Sequence, residues 1–136
     1  MYNKVSWIED DADVIYPVIE PLLKANMEIQ IYRTYSDAMK NVHVISKGDL
    51  VLLDLILPLG KSLENSRDSE FLGLKLLRHL RKEVNTKIPI IVFSVIADDP
   101  DLYKELTSLG AIMLSKPIRP SELRNEVFSA LGISPI

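Results

Sequence analysis

The run Val51-Leu52-Leu53-Asp54-Leu55-Ile56-Leu57-Pro58 constrains this chain more than any other stretch. A series of branched apolar residues with no polar alternation has no wet face. It reads as a strand buried on both sides, as in a parallel sheet covered by helices above and below. Asp54 is set into that run. A buried carboxylate without a partner costs several kcal/mol or stays protonated, so Asp54 belongs at the C-terminal lip of the strand, facing a cation. Two other stretches can meet it there. Val5-Ser6-Trp7-Ile8-Glu9-Asp10-Asp11 is a short apolar strand that ends in acids, and Ser115-Lys116-Pro117 closes another apolar run with a single Lys.

Around these pieces, strands and helices alternate along the whole chain. Lys4 to Ile8 reads as a first strand, and Asp11 stands where it can cap the helix that follows. From Ala12 to about Ala25, Val14, Ile15, Val18, Ile19, Leu22 and Leu23 recur at helical spacing, but Pro17 and Pro21 interrupt them. An interior proline costs about 3 kcal/mol or forces a kink, so this helix is expected to bend or to start late. Glu28 to Tyr32 alternates as a strand does. Thr34 or Ser36 starts a second helix that Lys47-Gly48 closes. Leu59 to Ser69 has no periodicity and reads as a long polar loop. Phe71 to about Val84 is a third helix, and Ile88 to Phe93 a buried strand ending at Ser94. Asp98-Asp99-Pro100 opens a fourth helix that ends at Gly110, Ala111 to Leu114 is a fifth strand, and Pro120-Ser121-Glu122 starts a last helix. The pattern predicts an α/β fold, a parallel sheet with helices on both faces and right-handed crossovers.

Composition narrows the class. With 136 residues, 47% of them apolar, there is material for one domain with its own core, and residues 1–136 are read as a single unit. A net charge of −3 speaks against general nucleic-acid binding, which needs clustered Lys and Arg. The chain has no Cys, which removes disulfides, thiolate metal sites and Cys nucleophiles and fits a cytoplasmic location. No stretch approaches the length of a membrane span, and Met1-Tyr2-Asn3-Lys4 does not lead into the apolar region of a signal peptide. His43 and His79 have no partner at ligand spacing and read as structural or surface residues; Trp7 reads as core.

The residues that carry chemistry all fall at strand C-termini, where open α/β sheets bind their ligands. Glu9, Asp10 and Asp11 follow the first strand, Asp54 the third, Ser94 the fourth and Lys116 the fifth. Carboxylates brought together repel one another unless one holds a proton or a divalent cation compensates. Mg²⁺ suits oxygen-only ligands and keeps several waters. A Lys and a hydroxyl beside it would match phosphoryl oxygens. The implied chemistry is metal-assisted phosphoryl transfer with Asp54 as the nucleophile.

Taken together and in this order, Trp7-Ile8-Glu9-Asp10-Asp11, Leu52 to Pro58, Val92-Phe93-Ser94 and Ser115-Lys116-Pro117 resemble the receiver domain of two-component response regulators, from Lys4 to the last helix. The resemblance implies a five-stranded, doubly wound, flavodoxin-like sheet of order 2-1-3-4-5. It implies that Asp54 accepts a phosphoryl group from a sensor histidine kinase or phosphotransfer protein. Glu9, Asp10, Asp54 and the backbone carbonyl of Ile56 would hold Mg²⁺, Ser94 would bond the phosphoryl oxygen, and Lys116 would pair with the phosphate. It also implies a cis Lys116-Pro117 bond. Such a domain is a regulatory phosphoacceptor and not an enzyme, beyond phosphorylating and dephosphorylating itself in cis.

The chain departs from that pattern in three places. The family's switch aromatic corresponds to Met113, which can change rotamer but cannot swing as a ring does. The loop at about 59–70 is longer than the family's usual turn. No effector domain follows Ile136, so output is expected to run through a downstream effector protein in trans. Two alternatives belong to other classes: a degenerate receiver serving as a phosphorylation-independent interaction module, and a metal-dependent phosphohydrolase or small-molecule binder. The second alternative lacks a Gly-rich phosphate loop.

Overall fold

A computed structural model describes residues 3–60, 71–95 and 99–133 of the chain. Its five strands are β1 (Lys4–Ile8), β2 (Glu28–Tyr32), β3 (Leu50–Leu53), β4 (Ile90–Ser94) and β5 (Ala111–Ser115). They form one parallel sheet of order β2-β1-β3-β4-β5, the doubly wound order expected. The three inner strands are buried on both faces, and each sends alternate residues to opposite sides. Val5, Trp7, Leu50, Leu52, Ile91 and Phe93 join one core, while Ile8, Val51, Leu53, Ile90 and Val92 join the other. This is why the central apolar run shows no polar alternation: both of its faces are inside.

The first core is roofed by α1 (Ala12–Ile15), a 3₁₀ segment (Tyr16–Ile19), α2 (Glu20–Lys24) and α7 (Pro120–Leu131). Pro17 and Pro21 do more than bend the first predicted helix. Each stands in the opening turn of a new segment, where a proline gives up no hydrogen bond, so the helix is cut into three pieces. Asp11 precedes α1, but its side chain makes no capping bond. The second core lies under α3 (Tyr35–Lys40), α4 (Val42–Ser46), α5 (Leu72–Arg78) with a π-helical turn (His79–Glu83), and α6 (Pro100–Ser108). Thr34 caps α3 by accepting from the Asp37 N–H at 3.0 Å, and Asp99 caps α6 by accepting from the N–H groups of Asp101 and Leu102, each at 3.1 Å.

The sheet part of the Asp54 run is shorter than the apolar pattern suggested. β3 ends at Leu53, and Leu55 and Leu57 are buried in a turn that leaves the sheet. Hydrophobicity marks burial there, not strand. Of the long loop expected at about 59–70, residues 61–70 lie outside the described residues, as does Asp98. The loop's first residues are tied to α3: Tyr35 N–H donates to the Pro58 carbonyl and Ser36 N–H to the Leu59 carbonyl, each at 2.9 Å. Among the described residues no helix is long and apolar enough to cross a membrane.

Candidate functional site

The sheet ladder runs one residue past β1, β3 and β5 and thereby assembles the site. Glu9 N–H donates to Tyr32 O (2.9 Å), Asp54 N–H to Ile8 O (3.0 Å) and Lys116 N–H to Ser94 O (3.0 Å). With Ile8 opposite Leu53 and Ser94 opposite Ser115, these bonds place the side chains of Glu9, Asp54, Ser94 and Lys116 at one edge of the sheet. That edge includes the C-terminal ends of β1 and β3, where the strand order reverses.

The side chains of Glu9, Asp10, Asp54, Ser94 and Lys116 come together there, whereas Asp11 approaches through its backbone N–H. Ser94 Oγ donates to Asp54 Oδ1 at 2.6 Å, and the Ile56 N–H donates to the same oxygen at 3.0 Å. Lys116 Nζ donates to Asp54 Oδ2 at 3.0 Å and to Glu9 Oε1 at 2.5 Å. The Leu55 N–H reaches Ser94 Oγ at 3.4 Å, and the Asp11 N–H reaches Glu9 Oε2 at 3.3 Å. Glu9, Asp54 and Ser94 are buried, whereas Asp10 is exposed to solvent. The Lys116–Pro117 peptide is cis. His43 is exposed on α4 and His79 half-buried in the π-helical turn; neither belongs to the site. Met113 lies half-buried on β5 and packs against the second core.

Burial without enough positive charge sets the electrostatics. Removal of Glu9 from water, with Asp54 beside it, pushes its carboxyl from 4.5 up to about 7, against the opposing pull of the Lys116 hydrogen bond. Burial acts on the Lys116 ammonium in the other direction, but its bond to Glu9 and the nearby charges of Asp54 and Glu9 outweigh that. The net shift is upward, so Lys116 stays charged. When Glu9, Asp10 and Asp54 are all ionised, Lys116 leaves two of their charges uncompensated. Each of those acids presents an oxygen within 4.8 Å of the others. An oxygen-only set with a solvent-facing member fits a hard divalent cation that retains waters.

Sequence reasoning missed one neighbour of the site. A Cβ on Gly73, in the first turn of α5, would lie 2.0 Å from the Asp54 carbonyl oxygen and 2.5 Å from Leu55 Cα. The Gly73 N–H donates to the Leu55 carbonyl at 2.9 Å. The available signal was a glycine in the strongly helical stretch Leu72-Gly73-Leu74-Lys75-Leu76-Leu77, where it costs about 1 kcal/mol relative to Ala.

Comparison with known proteins gives the same architecture. The signal receiver domain of a putative LuxO repressor protein from Vibrio parahaemolyticus superposes with a TM-score of 0.76 at 23% identity, covering 97% of this chain and 92% of that one. The non-phosphorylated HemR receiver domain from Leptospira biflexa gives 0.75 at 21% identity, with 98% of each chain covered. The BeF3-activated N-terminal receiver domain of Klebsiella pneumoniae RstA gives 0.71 at 28% identity, covering 95% and 98%. No curated protein sequence matches the chain. The family model for the response regulator receiver domain matches residues 5–128, a span that begins at the second residue of β1 and holds the other four strands and all of the site residues. The chain belongs to the response regulator receiver domain family.

Proposed function

We propose that Asp54 is the phosphoacceptor of this receiver domain and takes a phosphoryl group from a phosphohistidine of a sensor histidine kinase or phosphotransfer protein. The reading rests above all on one observation: Ser94, Lys116 and the Ile56 amide all bond the Asp54 carboxylate, with Glu9 and Asp10 beside it. In the transfer an Asp54 carboxylate oxygen attacks phosphorus, the P–N bond to the donor imidazole breaks, and the electron pair stays on that nitrogen. The product is an acyl phosphate. Lys116 would then exchange its bond to Asp54 for one to a phosphoryl oxygen, and the Ser94 hydroxyl would donate to another. Mg²⁺, held by Glu9, Asp10, Asp54 and the Ile56 carbonyl, would supply charge neutralisation for the incoming phosphoryl group. The new charge at the sheet edge alters which effector protein the domain binds in trans. In this reading the domain is a switch whose only chemistry is its own phosphorylation and dephosphorylation.

Beryllofluoride tests the reading, and the BeF3-activated state of the Klebsiella relative supports it as a probe. Stoichiometric binding by the wild-type chain is expected in the presence of Mg²⁺, with none after chelation and none in Asp54→Ala. Binding that persists in Asp54→Ala would refute it. Met113 in place of the switch aromatic favours one second reading, an interaction module that works without phosphorylation. Partner binding unchanged in Asp54→Asn, with and without a phosphodonor, would establish that reading instead.

A further inference from the structure

The backbone of Gly73 packs against the main chain of the acceptor residue and of Leu55, with no room for a side chain between them. Its hypothetical Cβ would meet the Asp54 carbonyl oxygen at 2.0 Å, Leu55 Cα at 2.5 Å and the Asp54 carbonyl carbon at 2.8 Å. No rotamer change relieves a clash with backbone, so a side chain at this position must move either α5 or the Asp54–Leu55 peptide. Movement of α5 is opposed at several points. Its residues Leu72, Leu74, Leu76 and Leu77 are buried in the second core, and Arg78 is paired with Glu105 of α6. The Gly73 N–H, which the helix itself leaves unpaired, is bonded to the Leu55 carbonyl. The Asp54–Leu55 peptide has less to resist with, because the sheet ladder stops at the Asp54 N–H.

We propose that Gly73 is a positioning residue for the acceptor carboxylate: the missing side chain lets the first turn of α5 seat against the Asp54–Leu55 peptide and hold it in register with Glu9, Ser94 and Lys116. The claim rests on the reading of Asp54 as phosphoacceptor. It adds that the register of the site is set from behind by α5, as well as by the side chains that bond the carboxylate. Displacing this peptide shifts the origin of the Asp54 side chain. It also shifts the Leu55 and Ile56 N–H groups, which bond Ser94 Oγ and Asp54 Oδ1.

The test compares the wild-type chain with Gly73→Ala and with Val127→Ala, a truncation in the opposite core layer that costs stability without pressing on Asp54. Two quantities are read: Mg²⁺ affinity from amide chemical-shift titration at Glu9, Asp10, Asp54 and Ile56, and the rate of phosphoryl uptake from acetyl phosphate. Gly73→Ala is expected to remain folded, to bind Mg²⁺ about 10-fold more weakly and to label about 100-fold more slowly, since misplacement of a reacting group by about 1 Å costs that much. Val127→Ala is expected to stay close to wild type in both. Wild-type values in a folded Gly73→Ala overturn the proposal. So does a Gly73→Ala chain that stays unfolded even in stabilising osmolyte, because the contact then serves the core and not the site. A wild-type chain that takes up no phosphoryl group refutes the phosphoacceptor reading instead. The Mg²⁺ affinities then still decide whether Gly73 sets the register of the carboxylates.

Discussion

At the scale of the residue, Glu9 is the group most changed by its surroundings. Its carboxyl ordinarily titrates near 4.5, and burial pushes it up to about 7. The folded chain therefore holds that proton more tightly than the unfolded chain does, so stability contributed by the protonated form is lost as pH rises through the folded-state value. Metal-free protein is expected to lose stability between about pH 5 and about pH 8, and Glu9→Gln to flatten that slope, as read from urea midpoints across the range. A slope unchanged in Glu9→Gln would contradict this assignment. Most of the site was legible at this scale. Acids, a hydroxyl and a Lys at the ends of apolar runs announce a strand-tip site, because such groups are costly anywhere else in a buried sheet. The double engagement of Lys116 with both Glu9 and Asp54 was not legible, since it depends on a separation of 107 residues closed by the sheet register. Gly73 was legible only as an anomaly, a weak helix former inside a helix.

At the scale of the element, capping residues and prolines told most of what can be read locally. Thr34 and Asp99 cap as their side chains predict, and Pro17 and Pro21 divide the first helix where their rings allow it. The start of α5 carried no such signal: Phe71 enters it in the left-handed conformation at φ 58° with no capping side chain. Arg81 was equally silent. From the π-helical turn that follows α5, it donates to the carbonyls of Leu109 (2.7 Å), Thr86 (3.1 Å), Ile88 (2.7 Å) and Gly110 (3.4 Å). It thereby ties the end of α6 to the entry of β4. Backbone acceptors leave no mark in a sequence, so nothing distinguished this Arg from a solvated one. Arg81→Leu is expected to destabilise the fold by about 2–4 kcal/mol through the carbonyls it leaves unpaired. Arg81→Lys is expected to recover little, because a single ammonium cannot span that fork. Chemical denaturation of both variants checks the pair of expectations, and full recovery by Lys would count against the clamp.

At the scale of the whole molecule, one sheet separates two cores and exposes at one edge a set of charges that neither core can neutralise. Fold class was readable from the alternation of elements and the unbroken apolar run. The strand order came only from the family resemblance, because periodicity does not say which strands are neighbours. A cation that binds the acidic edge of the folded chain and not the unfolded one adds stability by mass action, about 2.7 kcal/mol at 100 times its dissociation constant. Thermal unfolding is expected to shift upward with Mg²⁺, to return on chelation, and to lose the shift in Asp10→Asn. The most direct test of the account is intact mass after incubation with acetyl phosphate, with Mg²⁺ or with chelator, for the wild-type chain and for Asp54→Ala. The expected result is a gain of one phosphoryl group that requires Mg²⁺ and disappears in Asp54→Ala. A wild-type chain that gains nothing, or a gain that survives loss of the Asp54 carboxylate, would contradict the account.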